Sequence, residues 1–173
     1  MVAYPQAMRR DELRALQAPL KERYRDEPEA AHITLRADGT LGEGVSCSVQ
    51  TGRALAEAGL HPATGGDGSL LCSGDMLLEA LVACAGVTLK AVATATGIDV
   101  AAATIAAEGD LDFRGTLGVD RDAPVGFRAI RVRFDLDTGA DPERVAKLIE
   151  LTERYCVVFQ TLAGSPQLTM EVT

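Results

Sequence analysis

The segment Met76-Leu-Leu-Glu-Ala-Leu-Val-Ala-Cys-Ala-Gly-Val-Thr-Leu89 constrains this chain more than any other. Its apolar residues cover nearly the whole circumference of a helix, and such a helix belongs at the centre of a fold. Ser73 can serve as its N-cap, Asp75 places negative charge in its first turn, and Gly97 stops it after Ala95. Glu79 and Thr88 interrupt the apolar run, which falls well short of the roughly 20 residues that span a bilayer. The expectation is a core helix with no membrane partner. Cys84 stands at its middle, flanked by Ala83, Ala85 and Gly86. Those small residues leave space beside the sulfur or let another backbone approach it.

A chain of 173 residues has room for one domain around that helix. Hydrophobic residues make up 47% of it, which excludes a disordered linker, and aromatics only 4%. Leu, Val, Ile and Ala must therefore build the core. The net charge of −8, without a visible basic face, argues against nucleic acid as a partner. It suits a soluble cytoplasmic protein, and the N-terminus lacks the pattern of a secretory signal.

The first 30 residues read as helix, with Asp11 as a cap and a stripe of Leu13, Leu16, Leu20 and Tyr24. Pro19 should kink or divide it. From His32 the period becomes two: Ile33 and Leu35, then Val45, Cys47 and Val49, predict a hairpin turning near Asp38-Gly39. Thr51 to His61 fits helix, strand or loop. His61 to Ser69 concentrates Gly and Pro and must be a loop. Its Gly65, Gly66 and Gly68 are not a phosphate cradle, because the strand–loop–helix order with a following Lys is missing. Ile105, Ala107, Gly109, Leu111 and Phe113 predict one strand face, and Ile130, Val132, Phe134 and Leu136 another. An antiparallel pair would set Glu108, Asp110, Asp112 and Arg114 on an outer face against Arg131 and Arg133. A last helix starts at Asp141-Pro142 and carries Val145, Leu148, Ile149, Thr152, Cys156 and Phe159 on one stripe. A final strand is expected over Gln167 to Val172.

Four cysteines remain to be placed: Cys47, Cys72, Cys84 and Cys156. No pair has C-x-x-C spacing, and only His32 and His61 could help hold a metal, so no metal site is expected. A cytoplasmic chain of this size has no use for a disulfide framework. Cys47 reads as strand packing and Cys72 as an unassigned loop thiol. Cys84 and Cys156 both face inward from helices, either as packed or as reactive thiols.

Here the chain resembles a known family. Gly65-Gly-Asp-Gly68 leads into a helix carrying Val82-Ala-Cys-Ala-Gly86, and Arg154-Tyr-Cys-Val157 follows after two alternating strands. This order is similar to that of the osmotically inducible protein C / organic hydroperoxide resistance family, over about residues 32–173. The resemblance implies an α+β fold in which two antiparallel sheets wrap central cysteine-bearing helices in an intertwined homodimer. Residues 1–31 would be an extra N-terminal helical extension and 32–173 a single domain. It further implies a thiol peroxidase acting on organic or inorganic hydroperoxides, in which Cys84 is the peroxidatic cysteine and Cys156 the resolving one. Cys84 would become a sulfenic acid and close a Cys84–Cys156 disulfide, which an external dithiol such as a lipoylated protein, or a small thiol, reduces. No cofactor is called for.

A buried thiol is inert unless something favours its anion. The family uses an arginine from the early strands held by an acid, and Arg36 is the best match, with Arg53 the runner-up. The acid is less well matched: Ala63-Thr64 stands where many members carry Glu, leaving Asp67 or Glu57 as substitutes. Val157 replaces a common proline after the second cysteine, and Cys72-Ser-Gly-Asp75 replaces Asn-Pro-Glu-Glu. These departures mark a divergent subgroup. They also motivate an alternative, a non-catalytic member that binds a small apolar ligand at the dimer interface.

Overall fold

The computed structural model describes residues 10–41, 47–49 and 58–172, with side chains over 17–33 and 59–172. In chain order the elements are α1 (Arg10–Asp26), β1 (His32–Leu41), β2 (Cys47–Val49), β3 (Ala58–Gly59), β4 (Leu71–Cys72), α2 (Ser73–Thr96), β5 (Ala102–Asp112), α3 (Phe113–Thr116), β6 (Ala129–Asp137), α4 (Pro142–Tyr155) and α5 (Val157–Gly164). Short 3-10 turns cover Pro28–Ala31 and Pro62–Thr64.

The apolar helix α2 forms where expected, and at 24 residues it is longer than its apolar run. By length and composition alone it could cross a membrane, which corrects the reading that it is too short; 44% of its most apolar stretch is buried within the protein. Leu78, Leu81, Val82, Ala85, Gly86, Leu89 and Ala93 form the buried face. Leu77, Ala80, Val87 and Ala91 are exposed, so the described residues do not cover the helix on all sides.

The main sheet has the order β2-β1-β5-β6. β1 and β2 are antiparallel, with Leu41 opposite Cys47 and Gly39 opposite Val49. The reversal therefore comes after Leu41 rather than at Asp38-Gly39, because ladder pairing overrides a local turn preference. β5 and β6 are also antiparallel: the Arg128 N–H donates to the Asp110 carbonyl at 2.8 Å and the Ala101 N–H to that of Asp137 at 2.9 Å. β5 buries Ala103, Ile105, Ala107, Gly109 and Leu111, as the alternation predicts. Arg131 meets Glu108 at 3.7 Å on the outer face. On β6 the apolar face is only half-buried, and Val132, Phe134 and Leu136 line an open groove with Val145 and Ile149 of α4. β3 and β4 form a separate two-stranded parallel pair.

The chain divides into two compact units. One comprises Met1–Leu35, Arg53–Gly74 and Gly109–Ile130; the other comprises Arg36–Gly52, Asp75–Glu108 and Arg131–Thr173. In the first, α1 runs through Pro19 as one helix, so the proline does not divide it. The proline lies on the exposed side, where the missing N–H costs one main-chain bond without breaking the element. Tyr24 is buried and donates to the Ala63 carbonyl at 2.7 Å. The loop glycines have structural reasons: Gly65 takes φ of 100°, and a Cβ at Gly66 would lie 1.8 Å from the Leu60 carbonyl oxygen.

Asp112 is a further departure from the sequence reading. It was expected on the outer face, yet it is 2% exposed. β5 ends there, and Asp112 caps α3 by accepting the Arg114 N–H. Its carboxylate also takes the Arg114 Nη2 at 2.6 Å and the His32 Nε2 at 3.1 Å. Paired in this way, the charge can be buried.

The second unit holds α4 and α5. Asp141 caps α4 by accepting the Arg144 N–H at 2.9 Å, with Pro142 in the first turn. The single last helix expected from sequence is broken at Cys156, where the backbone is extended (φ −72°, ψ 106°). The final strand is absent among the described residues. Residues 165–172 carry no regular structure, and Leu168, Met170 and Val172 are fully or almost fully exposed. An alternating segment becomes a strand only when a neighbour offers main-chain partners.

Candidate thiol site

The break at Cys156 makes the site. Cys156 closes α4, donating its N–H to the Thr152 carbonyl at 2.9 Å, and opens α5, its own carbonyl accepting from the Gln160 N–H at 2.9 Å. Thr152 is buried and returns its hydroxyl to the Leu148 carbonyl at 2.8 Å, so no polar group there is left over. The first N–H groups of a helix have no partner inside it.

Cys84 reaches the same place from the middle of α2. Burial pushes its thiol up. The Val158 N–H, the Cys156 thiol, the Thr88 hydroxyl and the Val157 N–H all act on the sulfur, outweigh burial and hold it below its ordinary value. Cys156 is shifted the other way. Burial pushes it up to about 11, opposed by the N–H groups of Phe159 and Val158 and reinforced by the neighbouring Cys84. Cys156 is fully buried, whereas Cys84 is only partly so. The two thiols are within hydrogen-bonding contact, and their shifts run in opposite senses, Cys84 down and Cys156 up. A helix N-terminus and hydroxyl donors are recognised ways of lowering a thiol. Of the two, Cys84 is the thiol whose anion its surroundings favour.

Beside Cys156 lies a small cavity of about 140 Å³, lined by Ala85, Val132, Phe134, Ile149 and Phe159, with Glu153 at its margin. Its walls are mostly apolar.

The other residues singled out from sequence are placed as follows. Arg36 lies on β1, with its side chain outside the described residues; Arg53 and Glu57 lie outside them altogether. Cys47 is on β2, its side chain likewise outside. Cys72 is a half-buried free thiol on β4. Asp67 is exposed, and its carboxylate, held below the usual range by Ser69, accepts the Ser69 hydroxyl at 2.6 Å and N–H at 2.9 Å. Among the described residues no charged side chain contributes to the Cys84 shift. The groups that do were missed from sequence. Thr88 was legible, since four residues on a helix return to the same face. The amides of Val157 and Val158 were not, because nothing in Arg154-Tyr-Cys-Val157 marks a helix break.

None of the curated proteins compared with the chain matches it. A family model described as OsmC-like protein matches residues 66–171, more than half of the chain, beginning within the Gly-rich loop and including both site cysteines. The chain belongs to the OsmC-like protein family.

Proposed function

We propose that the chain is a cysteine-based thiol peroxidase that reduces organic or inorganic hydroperoxides. The observation that carries this reading is the Cys84–Cys156 contact with its opposite shifts. The Cys84 thiolate attacks one peroxide oxygen; the O–O bond breaks, the alcohol leaves with a proton, and Cys84 becomes a sulfenic acid. The Cys156 thiol then attacks the Cys84 sulfur, water leaves and a disulfide forms. Two equivalents of external thiol, from a dithiol such as a lipoylated protein or from a small thiol, return both cysteines to the reduced state. This cycle needs no cofactor. Arg36 remains our choice for a cation assisting Cys84.

A homodimer fits the exposed stripe Leu77, Ala80, Val87 and Ala91 on α2, which a second copy would cover. The second sheet of the expected fold would come from that copy, and we place the assembly in the cytoplasm. The alternative, a non-catalytic binder of a small apolar ligand, draws on the cavity beside Cys156. Reduced protein mixed with cumene hydroperoxide and a dithiol separates the two. Peroxide consumption that Cys84→Ser abolishes supports the enzyme, and no consumption with any peroxide and thiol pair supports the binder.

A further inference from the structure

We propose that His32 is a proton-operated latch for Arg128: when the imidazole takes its second proton, the Arg128 side chain is released to solvent. The inference does not rest on the peroxidase reading. The His32 Nε2 lies 3.1 Å from the Asp112 Oδ2 and 3.2 Å from the Arg128 Nη1, and its Nδ1 lies 3.0 Å from the Glu29 Oε2. A carboxylate only accepts and a guanidinium only donates. One ring nitrogen cannot serve both at once. With a proton, Nε2 donates to Asp112 and faces an N–H of Arg128. Without one, it accepts from Arg128 and faces a carboxylate oxygen. The neutral ring thus shares Nε2 between two competing partners.

A second proton ends the sharing. Both nitrogens then donate, Nδ1 to Glu29 and Nε2 to Asp112, while Arg128 loses its acceptor on the ring and meets a like charge. Burial decides which partner leaves. Asp112 is 2% exposed and is held by Arg114, which also meets Asp120. Arg128 is exposed, and its main-chain N–H is tied to the Asp110 carbonyl at 2.8 Å, so the side chain alone moves. Among the described residues, Glu29 of the turn before β1, Asp112 of β5 and Arg128 just before β6 face the ring, and Asp110 lines the same cleft. That cleft, of about 350 Å³, is lined by His32 and Arg128 with Ile33, Leu111 and Ala129, so release changes its wall.

The test is a nitrogen-15 NMR titration of the full reduced chain from pH 8 to pH 5, with side-chain signals assigned through backbone connectivities. The proposal expects the Arg128 guanidinium signal to change with the same midpoint as the His32 ring, and the nuclear Overhauser contact between the two side chains to be lost on the acid side. His32→Gln should abolish that change. Arg128→Gln should move the His32 transition to higher pH, because a neighbouring cation that opposes the second proton is gone. An Arg128 signal that does not follow the ring, or a His32 transition unmoved in Arg128→Gln, overturns the proposal. Should His32→Gln lose the native circular dichroism, wild type and Arg128→Gln still decide. A shared midpoint together with the upward shift supports the latch, and the lack of either overturns it. The titration needs no peroxide, so failure of the peroxidase reading would leave this result standing, and the reverse.

Discussion

Among the described residues, Asp112 in one compact unit and Cys84 in the other have their anions favoured in opposite ways. In the first unit Asp112 is surrounded by full charges. Arg114 and His32 hold its carboxylate, and Arg114 in turn meets Asp120 at 3.1 Å. The carboxyl is pulled down to about 2, chiefly by the hydrogen bonds from Arg114, against the opposing effect of burial. Near neutral pH it is an anion held by Arg114 and His32. In the second unit the Cys84 sulfur is surrounded by dipoles: two amides, a hydroxyl and a thiol. Dipoles favour the anion without neutralising it. The difference sets full charges against dipoles as two ways for one small chain to favour an anion.

The comparison breaks most sharply at Cys84. Cys84→Ser is expected to reduce dithiol-dependent peroxide consumption to background, while Asp112→Asn leaves the rate per folded molecule within about twofold. A stopped peroxide assay on both variants checks this. Equal losses would mean that the two centres are not functionally distinct.

The second effect is on stability. Removing the Asp112 charge leaves Arg114 and His32 without their buried partner, and Asp112→Asn should cost about 2 kcal/mol in urea unfolding, discounted for the part of Arg114 that faces solvent. The same pairing gives an acid dependence with a definite sign. A depressed carboxyl contributes fully above its unfolded value near 4 and loses that contribution as pH falls toward about 2. Wild type should therefore lose about 2 kcal/mol more than Asp112→Asn between pH 5 and pH 2. Parallel acid unfolding curves would contradict the assignment.

Smaller still is the effect of one dipole. Thr88→Val should slow iodoacetamide labelling of Cys84 at pH 7 by about threefold, with peroxide consumption falling in step. An unchanged rate would remove the hydroxyl from the account. At the bottom of the scale, Arg131→Ala should change stability by about 0.5 kcal/mol or less, since its pairing with Glu108 is open to solvent.

Much of this architecture was legible in the residues. The alternation of Ile105, Ala107 and Leu111 gave a strand with one buried face, and the run from Met76 gave the core helix. Both patterns are periodic, and period is a local property. The Cys84 and Cys156 placement was legible through family resemblance. What was not legible depended on partners distant in sequence. Asp112 looked like an outer-face residue because its cover includes His32, 80 residues away. Gln167 to Val172 looked like a strand because alternation does not say whether a neighbour exists. The break at Cys156 was hidden because Tyr155 and Val157 are ordinary inside a helix. That last miss mattered most, since an unbroken helix would offer Cys84 no free amides.

The central claim is that Cys84 and Cys156 act as one redox pair. It is tested most directly by adding one equivalent of cumene hydroperoxide to reduced protein without any thiol and mapping the cysteines by mass spectrometry. The account predicts a Cys84–Cys156 disulfide, and in Cys156→Ser a Cys84 sulfenic acid in its place. Cys84 passing to sulfinic acid in the wild type while Cys156 stays a free thiol would contradict it.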